Sequence, residues 1–186
     1  PHAFDDLVRE APEGLNPFQA FGELLREQPQ VTIVKLAGLA RGGGAEFVAA
    51  ADMTFAAEGR AGLGQCEALM GITPGGGATQ YLSSRMTRGR ALEVILGADL
   101  IDAATAERYG WINRALPASE LDGFVDRLAR NIAALPEGVT AAAKKAVPSV
   151  NLREGFSREH DVWAGLFARP AAEKLIRGGL KAGAQT

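Results

Sequence analysis

The chain has 186 residues, enough for one domain with a substantial core and too few for two large ones. Its 20 Lys and Arg stand against 22 Asp and Glu, a formal charge of −2. That balance offers no basic field for nucleic acid and no polybasic patch for an anionic membrane. A single cysteine, Cys66, rules out an intrachain disulfide, cannot by itself build a zinc site, and fits a reducing, cytoplasmic setting. No apolar run reaches the roughly 18 residues of a membrane span. The opening Pro1-His2-Ala3-Phe4-Asp5-Asp6 has neither the basic region nor the apolar stretch of a secretion signal.

Asn16-Pro17 is a good helix start, an N-cap residue followed by proline at the first helical position. Phe18, Phe21, Leu24 and Leu25 follow at helical spacing, and Pro29 marks the end. Val31 to Ala37 is rich in β-branched residues and reads as a buried strand. It runs through Gly38 into Gly42-Gly43-Gly44 and a small-residue helix from about Ala45 to Ala51. Met53 to Ala57 reads as a second short strand. From Gly59 to Gly77 glycine recurs and periodicity fails, which predicts loop with room for one short strand.

Ala78 to Met86 and Arg90 to Leu96 read as helices, the second capped by Thr87. Asp102 caps a short helix to Tyr109, and Trp111 to Ala115 reads as extended. Ser119 with Asp122 three residues later has the form of a capping box, ahead of the apolar stripe Leu121, Phe124, Val125, Leu128 and Ile132. Asn151 opens a further helix that carries Phe156, His160, Trp163 and Phe167. Strands and helices alternate early and helices dominate later, the pattern of an α/β chain with a helical C-terminal part.

Two glutamates stand out because each sits beside a glycine-rich turn. Glu46 follows Gly42-Gly43-Gly44-Ala45, and Glu67 closes Leu63-Gly64-Gln65-Cys66 ahead of Gly75-Gly76-Gly77. Glycines let a ligand approach the backbone closely, and two carboxylates near one ligand can divide the work of base and acid. The pairing points to proton movement at carbon next to a polarised carbonyl. Plainer readings stand beside it. An acid in the first turn of a helix favours the dipole, which also tends to hold Glu46 ionised. Glu67 can be a surface loop residue, and both glycine runs can be tight turns. Neither run ends in the Gly-Lys-Ser/Thr of a phosphate-binding loop. Cys66 reads as a packed residue, His160 as packing or capping, and the Phe156, Trp163 and Phe167 stripe as core or subunit contact.

From Val31 to Pro117 the chain resembles the enoyl-CoA hydratase/isomerase family, the crotonase superfamily. Val31-Thr32-Ile33-Val34-Lys35-Leu36-Ala37-Gly38 resembles the strand before the family's active-site turn. Arg41-Gly42-Gly43-Gly44-Ala45-Glu46 resembles that turn with its first catalytic carboxylate, and Asp52 the acidic residue that closes the next helix. Gly64-Gln65-Cys66-Glu67 is similar to the second carboxylate motif, where the family more often has proline before the glutamate. Gly71-Ile72-Thr73-Pro74-Gly75-Gly76-Gly77-Ala78-Thr79-Gln80 resembles the following loop. Ala91-Leu92-Glu93 through Ala106-Glu107-Arg108-Tyr109-Gly110 resembles the later helical pair, and Asn113 to Pro117 the strand after it.

The resemblance implies the later turns of a β-β-α spiral in residues 1–117, with the active-site turns, and a helical region in 118–186 that makes oligomer contacts. It implies an enoyl-CoA hydratase-like lyase that adds water across a 2-enoyl-CoA thioester. Isomerisation, decarboxylation, thioester hydrolysis and a non-catalytic scaffold are the alternatives. Glu46 and Glu67 would be base and acid, the Gly43 N–H an oxyanion donor, and Gly42, Gly44, Gly64 and Gly75 would shape the substrate site. No metal or separate cofactor is implied, since coenzyme A comes with the substrate; Lys144-Lys145 would either reach its phosphates or form a solvated helix face. A homo-oligomer, trimer or hexamer, is expected. By family spacing the first oxyanion donor falls before Pro1. Glu46 and Glu67 are 21 residues apart, one more than the family pattern, with the extra residue expected in the loop Glu58 to Gly62.

Overall fold

The structure, a computed structural model, describes residues 14–147 and 150–181. The reading of Pro1 to Asp6 lies outside these residues. Helix α1 (Pro17–Glu27) begins at a closed capping box. The Asn16 Oδ1 accepts from the N–H groups of Phe18 and Gln19, both at 3.0 Å, and the Gln19 Oε1 accepts from the Asn16 N–H at 3.1 Å. The helix then turns its apolar stripe outward. Phe18, Phe21 and Leu24 are 50%, 52% and 59% exposed, while Gln19, Gly22 and Glu23 are buried. Hydrogen bonds explain the inversion: Gln19 Nε2 donates to the Phe156 carbonyl and to the Glu159 carboxylate. Gly22 faces Tyr81 so closely that a Cβ there would lie 2.3 Å from the phenol oxygen.

Strand β1 (Ile33–Leu36) is half-buried rather than buried, because it lies at one end of a three-stranded sheet in the order β1-β3-β6. It pairs in parallel with β3 (Met53–Glu58), from Ile33 opposite Met53 to Leu36 opposite Ala56. On the other side of β3 runs β6 (Arg114–Pro117), also parallel, with Phe55 opposite Arg114. A second sheet joins β2 (Leu39–Arg41) in parallel to β4 (Gly62–Gly64), and β4 antiparallel to β5 (Ile101–Asp102). β2 and β5 had no counterpart in the sequence reading, and β4 is the one short strand expected between Gly59 and Gly77. Strands of two or three residues carry too little alternation to register as a period.

Helix α2 (Gly43–Ala50) starts two residues before the expected Ala45, and a 3-10 turn spans Glu67–Met70. Helices α3 (Ala78–Arg85) and α4 (Arg88–Gly97) follow. Thr87 holds the N-cap position of α4, but its side chain makes no cap bond. At α5 (Ala103–Tyr109) the Asp102 side chain accepts from the Thr105 N–H at 2.6 Å, a working cap. The capping box read at Ser119 is absent: the N-cap of α6 (Leu121–Ala133) is Glu120, and Asp122 turns to an ion pair with Lys35 on β1 at 2.7 Å. α7 (Val139–Ala146), α8 (Arg153–Phe167) and α9 (Pro170–Lys181) complete the described chain. Asn151 accepts from the Arg153 N–H at 3.1 Å as α8 begins.

The core gathers where α2, α3 and α8 meet the sheets, with Leu63, Leu82, Trp111, Leu121 and Phe156 fully buried. Tyr81 meets Phe156 edge-on, ring centres 5.4 Å apart.

Candidate active site

Glu46 lies in the first turn of α2, a helix in which Gly and Ala fill five of eight positions, which lets it sit deep in the core. Its Oε1 accepts from the N–H of Gly76 at 2.7 Å and of Ala78 at 3.3 Å. Gly76 has to be glycine for this contact, since a Cβ would stand 2.5 Å from the Glu46 Oε2. Burial pushes the Glu46 carboxyl up to about 8, helped by the nearby charges of Glu67 and Glu159 and opposed by the two N–H groups. The expectation that the helix dipole keeps Glu46 ionised is therefore corrected: removal from water outweighs the dipole at this depth.

Glu67 opens the 3-10 turn that β4 delivers to the foot of α2. It too is buried, and burial pushes its carboxyl up to about 7, with its own N–H lowering it and Glu159 raising it. It is not a surface loop residue. Gln65 is fully buried beside it; with the amide turned to donate, its nitrogen lies 3.0 Å and 3.1 Å from the two Glu67 oxygens. Gly42 packs against Glu67 and Cys66. Its φ of 51° lies in the left-handed region, its N–H donates to the Gly64 carbonyl at 3.0 Å, and a Cβ there would stand 3.3 Å from the Glu67 Oε1.

A cavity of about 240 Å³ opens over Glu46, lined by Gly43, Phe47 and Gly76 and by Phe18, Phe21 and Leu25 of α1 among others. The outward stripe of α1 is thus one wall of this cavity, and Phe21 stacks on Phe47 with ring centres 6.1 Å apart. Gly43 is the first residue of α2, so its N–H has no partner within the helix and belongs to the positive end of the dipole.

The other expected residues fall in different places. Nothing described approaches the Cβ positions of Gly43 and Gly44, whereas a Cβ at Gly64 would meet the Asp99 carbonyl oxygen at 3.0 Å. Gly75 packs on Trp163 and accepts from the Asn16 Nδ2 at 2.6 Å, off the cavity lining. Cys66 is buried, and burial with the neighbouring Glu67 charge pushes its thiol up, which keeps it protonated. Lys144 is neither free for a phosphate nor a solvated residue. Its Nζ donates to the carbonyls of Leu25 and Gln30 and to Asp52 at 2.8 Å.

Sequence reasoning missed Glu159, a buried carboxylate of α8, along with its partner Gln19. The only trace of the second was the Asn16-to-Gln19 spacing of a capping box. Among the described residues no group of three or more His, Cys, Asp or Glu could hold a metal ion, and no helix is long and apolar enough to cross a membrane.

Parallel strands feeding a helix N-terminus beside a buried acid pair define an α/β chain of crotonase-like fold. The enoyl-CoA hydratase/isomerase family model matches residues 11–183, and the chain belongs to that family. The crystal structure of a Streptomyces avermitilis protein assigned to the enoyl-CoA hydratases is 68% identical with a TM-score of 0.93, over all of this chain and 68% of that one. A Mycobacterium leprae protein assigned as an enoyl-CoA hydratase is 33% identical over 153 residues, 81% of this chain and 59% of that protein. The crotonyl-CoA hydratase of Syntrophomonas wolfei is 32% identical over 155 residues, 81% of this chain and 58% of its own length. The chain spans somewhat over half the length of these curated relatives.

Proposed function

We propose that this chain carries the acid–base half of a hydratase that adds water to the double bond of a 2-enoyl-CoA thioester. The observation that carries the reading is a pair of buried carboxyls near enough that the charge of Glu67 raises Glu46, with Glu46 lining a cavity beside the N-terminal end of α2. Glu46, ionised, takes a proton from water as the hydroxyl adds to the β-carbon. The electron pair of the double bond moves onto the thioester as an enolate, whose oxygen the Gly43 N–H stabilises. Glu67, protonated, returns a proton to the α-carbon. Burial pushes both carboxyls toward neutral pH, Glu46 to about 8 and Glu67 to about 7. In the ligand-free pair, which titrates as a unit, the proton therefore rests chiefly on Glu46; the roles assigned here require it to pass to Glu67 before water is deprotonated. A backbone donor at a developing oxyanion contributes about 3 kcal/mol to such a step. The apolar wall of Phe18, Phe21 and Phe47 suits the acyl part of the thioester, and a homo-oligomer is the assembly proposed with this reading.

The test is loss of the enoyl-thioester absorbance with short, medium and aryl-substituted enoyl-CoAs, on the full-length protein. Glu46→Gln and Glu67→Gln are each expected to lower kcat by roughly 10²–10⁴ while the protein stays folded. Turnover that survives both substitutions would sink the reading.

A further inference from the structure

The segment that holds Glu46 holds a second buried carboxylate at the same time. Its four successive N–H groups alternate: those of Gly76 and Ala78 donate to Glu46, and those of Gly77 and Thr79 donate to Glu159, at 2.7 Å and 2.9 Å. Glu159 also accepts from the Thr79 hydroxyl and from Gln19 Nε2 at 3.0 Å, so both of its oxygens are fully engaged. It is 4% exposed and does not line the cavity. Asn16 fixes the start of the same turn through the Gly75 carbonyl.

Each N–H belongs to a rigid peptide plane and adjacent planes share a Cα, so a plane of Gly77 or Thr79 that loses its carboxylate partner shifts the atoms about which the planes of Gly76 and Ala78 turn. Burial raises the Glu159 carboxyl, but all four of its donors favour the charged form. Hydrogen bonds to a charged acceptor are roughly twice as strong as to a neutral one, so the grip on one side of the turn steadies the aim of the other. We propose that Glu159 is a positioning residue for Glu46, acting through the backbone of residues 76–79. This rests on the reading of Glu46 as the base, and it ties α8 and α1 to the placement of that base. The turn is clamped between two acids, one that reacts and one that only holds.

The experiment is residue-resolved amide exchange on the ligand-free, full-length protein, with β3 amides as internal reference, followed by steady-state kinetics. Glu159→Gln keeps the size of the side chain, removes its charge and puts an amide NH2 in place of one oxygen that accepts two donors. Thr79→Val removes only the hydroxyl and serves as the second variant should the first not fold. In Glu159→Gln, exchange at Gly76 and Ala78, which Glu159 never touches, is expected to rise about tenfold while β3 is unchanged. In Thr79→Val it rises in the same direction and by less. With turnover, kcat falls about tenfold and KM stays within about twofold, the mark of a displaced base rather than lost binding. Acceleration confined to Gly77 and Thr79, or none at all, overturns the proposal. Should Glu46→Gln leave turnover intact, the catalytic reading of Glu46 falls, while the exchange data still decide whether Glu159 aims that side chain.

Discussion

Glu46 and Glu67 are held in the core with their carboxyls pushed up, chiefly by burial, to about 8 and about 7 from 4.5. A carboxyl whose folded value lies above its unfolded value favours folding in its protonated form. Its contribution is complete below about 4.5 and is lost as pH rises through 7 and 8. Glu46→Gln removes that ionisation, and its amide oxygen still accepts from Gly76 and Ala78. The variant is expected to melt above the parent at pH 8.5 and level with it at pH 4.5, by thermal denaturation at both values. An advantage at low pH, or none at high pH, would contradict the buried-acid geometry. Sequence made both glutamates visible through their glycine turns and the family motif, yet it judged the charge state of Glu46 by the helix dipole alone. Depth is a property of the fold, and no local pattern reports it.

Caps were legible where the side chain meets its own helix and not where a distant partner competes. Asn16 and Asp102 cap as their residue types predict. Asp122 did not complete a box with Ser119, because Lys35, remote in sequence, took the carboxylate. Helix α1 shows the same competition on a larger scale. Its spacing marks Phe18, Phe21 and Leu24 as a core face, but its polar side is buried and its aromatic side walls the cavity. Periodicity reports that a helix is two-faced, not which face the protein wants inside. Asn16 binds both its helix and the Gly75 carbonyl, so Asn16→Ala is expected to destabilise by about 1–2 kcal/mol in urea titration. A loss of only a few tenths would mean that the cap and the tie to the turn are redundant.

At the scale of the molecule, the early α/β alternation and the helical C-terminal part were readable from periodicity and glycine placement. The division into two three-stranded sheets was not, since it depends on β2, β4 and β5, whose pairings a sequence window does not reveal. Nor was the return of α8 onto the active-site turn, a contact across about 80 residues made by Glu159 and sealed by Phe156. Phe156 is fully buried against Tyr81, so Phe156→Ala is expected to lose about 3–5 kcal/mol in chemical denaturation. A loss under about 1 kcal/mol would show that α8 is dispensable to the core.

The alternating amides of residues 76–79 have a consequence for how this chain can diverge. Successive N–H groups serve opposite carboxylates, so the turn has a parity as well as a shape. Inserting or deleting one residue inside it would take these donors out of register with both carboxylates, since the segment leads straight into α3. Side chains along the turn are free to drift within the room they have; its residue count is not.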